Sequence, residues 1–209
     1  RHFKNLRKTT MEKLKVLLSP AVQINLEDFS SEHNKNRGYF LYPPVPLTAI
    51  AGSALKKVND IEIQILDLEY EIRKYFSENE NHEFNAGEYM KKIIVDKMEV
   101  FKPDLVGIGV MFSPAHSNAI KVANIVKEKN SNTKVICGGN HATFAHKRIL
   151  NECPNVDFIF LYEGDATFPL FLKYMKGEVK FSDLKGIAWL DKNTNTVKKA
   201  PYASLIENL

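Results

Sequence analysis

The sequence predicts an α/β fold: a doubly wound, five-stranded parallel sheet followed by a small C-terminal β-hairpin appendage. Short apolar runs alternate with stretches of helical periodicity five times along the 209 residues. Strands joined by helical crossovers form parallel sheets with helices on both faces. The third run, residues 105–112, is almost continuously apolar, which indicates a central strand buried on both faces.

The elements follow from runs of aliphatic and β-branched residues that end at Gly, Pro or polar positions. The predicted strands are residues 13–18, 61–68, 105–112, 134–137 and 157–161. Apolar residues at intervals of three and four predict helices at residues 47–58, 89–101, 119–129, 145–153 and 168–175. Gly107 and Gly109 lie inside the third strand, where we expect them to make room for a packed helix. Residues 186–198, which contain a polar turn at 191–196, predict the hairpin.

Composition narrows the classes of function. The chain is 44% hydrophobic and 26% charged, as soluble globular domains are. A net charge of +4 on scattered lysines does not favour nucleic-acid binding, and no apolar run approaches the ~20 residues that span a bilayer. We therefore expect neither nucleic acid nor a membrane as a partner. Cys137 and Cys153 lie in apolar contexts typical of reduced thiols, which predicts a cytoplasmic protein.

Five connections would meet at one edge of such a sheet, because the carboxyl ends of parallel strands lie together. They are residues 19–46, 67–72, 112–118, 138–144 and 162–167. Four of them are rich in Gly, Pro, Ser, Thr, Asn or His, which suits a preformed ligand cleft. The Gly138-Gly139 pair ends the fourth strand, and adjacent glycines let a large flat ligand approach the main chain. A plain turn is the alternative explanation of the pair.

Several kinds of site are disfavoured by spacing. The G-x-x-x-x-G-K-[ST] phosphate loop is absent, and the G-x-G at Gly107 and Gly109 has no third glycine opening a helix. The cysteines form no C-x-x-C pair and the histidines no i, i+4 pair, so no metal ligands are predicted. Ser113, His116 and Ser117 are close in sequence, but no G-x-S-x-G elbow exists, and we predict no catalytic residue in this chain alone.

Four motifs follow one another along the chain: Pro43-Pro44 before Leu47, residues 103–108 with Ser113 beyond, Gly138-Gly139-Asn140-His141-Ala142-Thr143, and Glu163-Gly164-Asp165-x-Thr167. Together they resemble the N-terminal cobalamin-binding domain of cobalamin-dependent radical S-adenosylmethionine (SAM) enzymes. The resemblance runs from about Lys13 to the end of the chain. The family's closing motif is normally G-E-G-E, where this chain has Tyr162-Glu163-Gly164-Asp165.

The resemblance implies a flavodoxin-like domain that holds cobalamin across the strand ends. The implied cofactor-binding residues are Tyr42, Pro43, Pro44, Leu47, Ser113, Gly138, Gly139, Asn140, His141, Thr143, Glu163, Gly164, Asp165 and Thr167. No D-x-H motif is present, which implies a lower cobalt face that is free or bound by water. S-adenosylmethionine and a four-iron four-sulfur cluster are implied only for a downstream radical SAM domain, whose C-x-x-x-C-x-x-C motif does not occur in these residues.

Most of these residues have a structural alternative. Thr143 and Ser113 suit helix N-caps, as does His141 at a helix entry, and Glu163 and Asp165 favour a helix start through the helix dipole.

The predicted organisation has three parts. Residues 1–12 are a tail or expression remnant, residues 13–180 the cobalamin-binding-like domain, and residues 181–209 the hairpin and the start of a linker to the radical SAM domain. The implied function is the cobalamin-binding module of a radical SAM methyltransferase or of a radical rearrangement or cyclisation enzyme. A stand-alone corrinoid carrier or sensor, and a cobalamin-free scaffold domain of the same family, stay open as alternatives.

Overall fold

Seven strands form one sheet in the computed structural model, which describes residues 13–27, 43–79 and 85–203. They are β1 (Leu14–Pro20), β2 (Ile61–Ile65), β3 (Leu105–Gly109), β4 (Lys134–Gly138), β5 (Phe158–Phe160), β6 (Ile187–Asp191) and β7 (Thr196–Lys199). Their order is β2-β1-β3-β4-β5-β6-β7. All pairs from β2 to β5 are parallel, which confirms the predicted five-stranded parallel sheet.

Seven α-helices connect the strands of the described segments. They are α1 (Val45–Lys57), α2 (Leu68–Glu78), α3 (Ala86–Phe101), α4 (His116–Lys129), α5 (Asn140–Phe144), α6 (His146–Glu152) and α7 (Gly164–Met175). Helices α1 and α7 cover one face of the sheet, and α2 to α6 contribute to the apolar cluster on the other. Within the described part of the chain, no helix is long and apolar enough to cross a bilayer.

The central strand β3 is glycine-rich because its neighbours approach closely. A Cβ atom at Gly109 would lie 3.3 Å from the Leu47 side chain, so α1 packs directly on β3, as predicted. At Gly107 a Cβ atom would lie 2.6 Å from Cδ2 of Leu18, a residue of the neighbouring strand β1. Gly107 therefore makes room for a side chain of the sheet itself rather than for a helix.

Helix α2 was not predicted, and the second strand is shorter than predicted. The strand ends at Ile65 rather than at residue 68, because Asp67 caps a helix by accepting from the backbone N–H of Tyr70 at 3.1 Å. Leu68 and Ile72 are fully buried on the inner side of that helix. The alternation of Ile and Leu with polar residues continued through residue 68, so the pattern alone did not mark the boundary.

Helix α7 begins at Gly164, four residues before the predicted start, and contains Pro169. Proline has no N–H, so it cannot donate to the carbonyl of Asp165 four residues earlier. That carbonyl accepts instead from Ser53 Oγ at 3.2 Å and Lys57 Nζ at 3.1 Å, both on α1. The proline thus frees an acceptor that links the two helices on this face.

The predicted hairpin is present, and it continues the main sheet. Strand β6 pairs antiparallel with β5 through Ala188 and Ile187, both fully buried. The backbone N–H of Leu161 also donates to the carbonyl of Gly186 at 2.7 Å. The proposed division of the chain between residues 180 and 181 stays a prediction.

Candidate functional site

The carboxyl edge of the parallel sheet brings together the described parts of the connections that follow β1, β3, β4 and β5. In the order β2-β1-β3-β4-β5, the chain changes direction between β1 and β3, and ligands of open α/β sheets bind at such a switch point. Predicted site residues from the connections that follow β3, β4 and β5 lie along this edge. Tyr42 lies outside the described residues, while Pro43 and Pro44 immediately precede α1.

The two glycines of the Gly138-Gly139 turn differ in backbone conformation and in the space that a side chain would find. Gly139 has φ 103° and ψ 176°, a region of backbone space that is essentially restricted to glycine. A Cβ atom there would also lie 2.8 Å from the carbonyl oxygen of Val110. At Gly138 a Cβ atom would meet only Phe160 Cβ, at an ordinary 3.6 Å. The turn explains Gly139, whereas the packing of the protein does not require glycine at residue 138.

Large apolar side chains are exposed along the same edge. Phe144, at the end of α5, is 79% exposed, and Phe112, just after β3, is 58% exposed. Val45, Met111 and Tyr162 are also exposed. Concentrations of exposed apolar side chains mark ligand or partner sites. The predicted third strand ends at Gly109 rather than at residue 112, so Met111 and Phe112 belong to this edge and not to the buried sheet.

Four side chains from two connections, those that follow β3 and β4, form a hydrogen-bonded chain. Ser113 Oγ lies 3.1 Å from His141 Nδ1, and His141 Nε2 lies 2.9 Å from His116 Nδ1. His116 Nε2 lies 2.8 Å from Glu152 Oε2, and Arg148 Nε donates to the other oxygen of Glu152 at 2.8 Å. We call Ser113, His141, His116 and Glu152 the serine–histidine chain.

Burial is the main cause that lowers the pKa of His141, followed by the charges of His116 and Arg148. Neither Ser113 nor His141 caps a helix, since the N-caps of the helices that begin there are other residues, and the two side chains bond to each other. Sequence reasoning missed Glu152, and it treated His116 apart from His141. The short spacing between Ser113 and His116 was the available signal.

Thr143 holds two connections together from a buried position. Its hydroxyl accepts from the backbone N–H of Tyr162 at 3.0 Å. The predicted N-cap role of Thr143 is wrong: α5 begins at Asn140 and α6 at His146, so the respective N-caps are Gly139 and Ala145.

Tyr162 has φ 62°, a left-handed conformation that glycine adopts readily. This conformation is a physical reason for the glycine that the resembled motif carries at the same position.

The remaining predicted residues divide into exposed and buried positions. Asn140 and Glu163 are exposed, and Glu163 precedes α7 without capping it through its side chain. Gly164 allows close packing of α7 on α1, because a Cβ atom there would lie 3.1 Å from Ile50 Cγ2. Leu47 is 8% exposed and Thr167 1% exposed, so both belong to the protein interior beneath the edge.

Comparison with known families identifies the domain family of the chain. Residues 38–172 match the family model of the B12 binding domain. The chain belongs to the B12-binding domain family. The ligand of that family is cobalamin, and the resemblance inferred from the four motifs is confirmed.

Similar curated proteins include methyltransferases and cyclases. The chain is 35% identical over 119 residues to a cytidylyl-2-hydroxyethylphosphonate methyltransferase of Streptomyces wedmorensis, covering 56% of this chain and 21% of the relative. It is 26% identical over 148 residues to an anaerobic magnesium-protoporphyrin IX monomethyl ester cyclase of Synechocystis sp., covering 70% of this chain and 26% of the relative. The chain therefore spans about a fifth to a quarter of these two relatives.

Solved structures of two radical enzymes share the fold. The cobalamin-dependent S-adenosylmethionine radical enzyme OxsB, with aqua-cobalamin and S-adenosylmethionine bound, matches with a TM-score of 0.63 at 17% identity; the match covers 93% of this chain and 23% of OxsB. The radical S-adenosylmethionine methyltransferase TsrM of Kitasatospora setae matches with a TM-score of 0.65 at 12% identity; the match covers 90% of this chain and 30% of TsrM. At these identities the likeness concerns the fold.

The carboxyl edge suits a B12 cofactor on its own features. A corrin ring is broad, with apolar faces and amide side chains around its rim, and the edge offers exposed Phe112 and Phe144 beside polar Ser113 and Asn140. Among the described residues, no group of three or more His, Cys, Asp or Glu side chains could hold a metal ion.

Proposed function

We propose that this B12-binding domain holds cobalamin against the carboxyl edge of its sheet as the module of a radical SAM methyltransferase or of a radical rearrangement or cyclisation enzyme. The observation that carries the location is Gly138: the protein leaves space for a side chain there and has none, next to a strained glycine that the turn does require. Close approach of a ligand to the backbone explains such a glycine.

We assign two kinds of role to the predicted site residues. Ser113, Asn140 and Glu163 are polar and exposed at the edge, so they would contact the amide groups of the corrin rim. Gly138 and Gly139 would let the corrin rim or the nucleotide tail approach the backbone. His141 would act mainly through Ser113, to which it is hydrogen-bonded.

The other predicted residues would shape the site from beneath or beside it. Thr143 would fix the connection after β5, because its hydroxyl accepts the Tyr162 N–H. Leu47 and Thr167 are buried and would support the edge by packing. Gly164 and Asp165 would set the start of α7 beside α1. Tyr42, Pro43 and Pro44 stay candidate contacts on the connection that leads into α1.

The rest of the enzyme would lie in a further domain. Bound cobalamin would supply a cobalt centre able to carry a methyl group, while this chain binds and orients the cofactor. S-adenosylmethionine and the four-iron four-sulfur cluster would belong to a covalently linked radical SAM domain. The sequence similarity to a methyltransferase and to a cyclase supports this assignment over a corrinoid carrier or sensor. The free thiols of Cys137 and Cys153 support a cytoplasmic location.

Co-purification with hydroxocobalamin tests the proposal. The protein is incubated with hydroxocobalamin, desalted and examined by visible absorbance, with Gly138→Ala as the matched variant. Corrin absorbance should elute with the wild-type protein and be reduced for the variant. Absence of corrin from the folded wild-type protein would favour the scaffold alternative. The coding sequence downstream of residue 209 provides a second test, since a stand-alone carrier would lack a C-x-x-x-C-x-x-C motif there.

A further inference from the structure

The serine–histidine chain contains two residues that belong to none of the four motifs. His116 opens α4 and Glu152 closes α6, yet both align with Ser113 and His141 in consecutive hydrogen bonds of 2.8 to 3.1 Å. The His116 side chain is 11% exposed, whereas Ser113 is exposed at the carboxyl edge. The serine–histidine chain therefore connects the surface carboxylate of Glu152, through the largely buried imidazole of His116 and through His141, to the Ser113 hydroxyl at the carboxyl edge.

The hydrogen atoms in this chain have one consistent arrangement when both imidazoles are neutral. Glu152 is ionised, with its pKa lowered by hydrogen bonds from Arg148 and His116, so it only accepts. His116 must then carry its hydrogen on Nε2, which leaves its Nδ1 bare. His141 consequently donates from Nε2 to His116, and its own Nδ1 accepts from the hydroxyl of Ser113.

We propose that His116 and Glu152 are positioning residues that, through His141, turn the Ser113 hydroxyl hydrogen away from the ligand. Ser113 then presents only its oxygen lone pairs, and it recognises a hydrogen-bond donor such as an amide N–H on the corrin rim. The proposal rests on cobalamin binding at this edge, and it names the chemical group that Ser113 recognises there. A phosphate oxygen, which only accepts, is excluded as the partner of Ser113 in this state.

Uptake of one proton reverses the arrangement, whichever imidazole takes it. A protonated His116 donates from Nδ1 to His141, which must then carry its own hydrogen on Nδ1 and donate to Ser113. A protonated His141 also donates to Ser113. The charged groups around the two rings are Glu152 and Arg148 on α6, with Ser113 neutral at the other end. In either case one lone pair of Ser113 Oγ accepts from His141 and the hydroxyl hydrogen turns toward the ligand, so one lone pair rather than two is left for an amide N–H.

Nitrogen NMR of the protein without ligand tests the arrangement directly. At a pH where both imidazoles are neutral, long-range ¹H–¹⁵N spectra should place the hydrogen of His116 and of His141 on Nε2. Glu152→Ala should release this preference, and Glu152→Gln should keep it, because the amide oxygen still accepts. Glu128→Ala, which removes an exposed carboxylate paired with Lys91, is the matched control. A hydrogen on Nδ1 of His141 in the neutral wild-type protein would overturn the proposal.

The second test measures the contribution of Ser113 to hydroxocobalamin affinity as a function of pH. The ratio of dissociation constants, Ser113→Ala over wild type, cancels any titration of the ligand. The ratio should be about fivefold while the imidazoles are neutral, and it should be smaller when they are protonated, because one of the two lone pairs of Ser113 then accepts from His141. In Glu152→Ala the pH dependence should weaken, because the neutral imidazoles lose their preferred tautomer, and Glu152→Gln should restore it. A ratio that is constant, or that rises as pH falls, would refute the donor-recognising role.

The two tests separate failure of this inference from failure of the proposed function. If hydroxocobalamin does not bind the wild-type protein at any pH, the cobalamin proposal falls and the ligand part of this inference falls with it. The NMR result would still decide the direction of the serine–histidine chain.

Discussion

Replacing Gly138 by alanine should weaken cobalamin binding without weakening the fold. The new methyl group would lie 3.6 Å from Phe160 Cβ, an ordinary contact. Alanine is favoured over glycine within a strand by roughly 0.5–1 kcal/mol, so the free energy of unfolding should stay equal or rise slightly. A ligand resting on the Gly138 backbone would meet the added methyl group. Overpacking of this kind costs about 1–3 kcal/mol, which raises the dissociation constant about 5- to 150-fold.

Gly139→Ala is the contrasting variant. Residue 139 has φ 103° and ψ 176°, and a side chain in that region costs about 1–3 kcal/mol. The new Cβ would also lie 2.8 Å from the Val110 carbonyl oxygen, so this variant should lose stability even without ligand. We therefore expect Gly138→Ala to weaken cobalamin binding but not the fold, and Gly139→Ala to weaken the fold itself.

Urea unfolding of the ligand-free proteins gives the stabilities, and absorbance titration with hydroxocobalamin gives the affinities. Wild-type affinity in a stable Gly138→Ala protein would refute close approach of the corrinoid at residue 138. A Gly138→Ala protein that unfolds more easily would show that the packing argument at this glycine is wrong. A fully stable Gly139→Ala protein would contradict the strained turn.

Three further predictions concern the residues that support the site. Asn118→Ala should lower the free energy of unfolding by about 2–3 kcal/mol, because its buried amide donates two 2.9 Å hydrogen bonds to backbone carbonyls after β1; an unchanged urea midpoint would contradict this. Burial raises the pKa of the thiols of Cys137 and Cys153, so a thiol reagent should label neither in the folded protein and both after denaturation; rapid labelling of the folded protein is the contrary result. Thr143→Val should lower the free energy of unfolding by about 1 kcal/mol and weaken hydroxocobalamin binding, because the Tyr162 N–H loses its acceptor. Thr143→Ser should keep both the stability and the affinity in the same unfolding and titration experiments.

The fold could be predicted because each parallel strand is a continuous or alternating apolar run, and a segment with apolar residues at intervals of three and four follows it. The run at 105–112 marked β3 as central, and the structure places it between β1 and β4. Boundaries were less certain where one pattern continued into another. The alternation at 61–68 hid the start of α2 at Leu68, since one apolar residue satisfies both a strand period and the first turn of a helix.

The sequence by itself determined the sheet, its carboxyl edge and, through four ordered motifs, the family of the cofactor. These properties depend on local periodicity and on residue types near each strand end, which a linear chain carries directly. Only the tertiary structure distinguished Gly139, where a Cβ atom would lie 2.8 Å from the Val110 carbonyl oxygen, from Gly138, where it would meet only Phe160 Cβ at 3.6 Å. Only the tertiary structure joined Ser113 to His141, 28 residues away, because a hydrogen bond between two connections depends on the register of the strands that carry them.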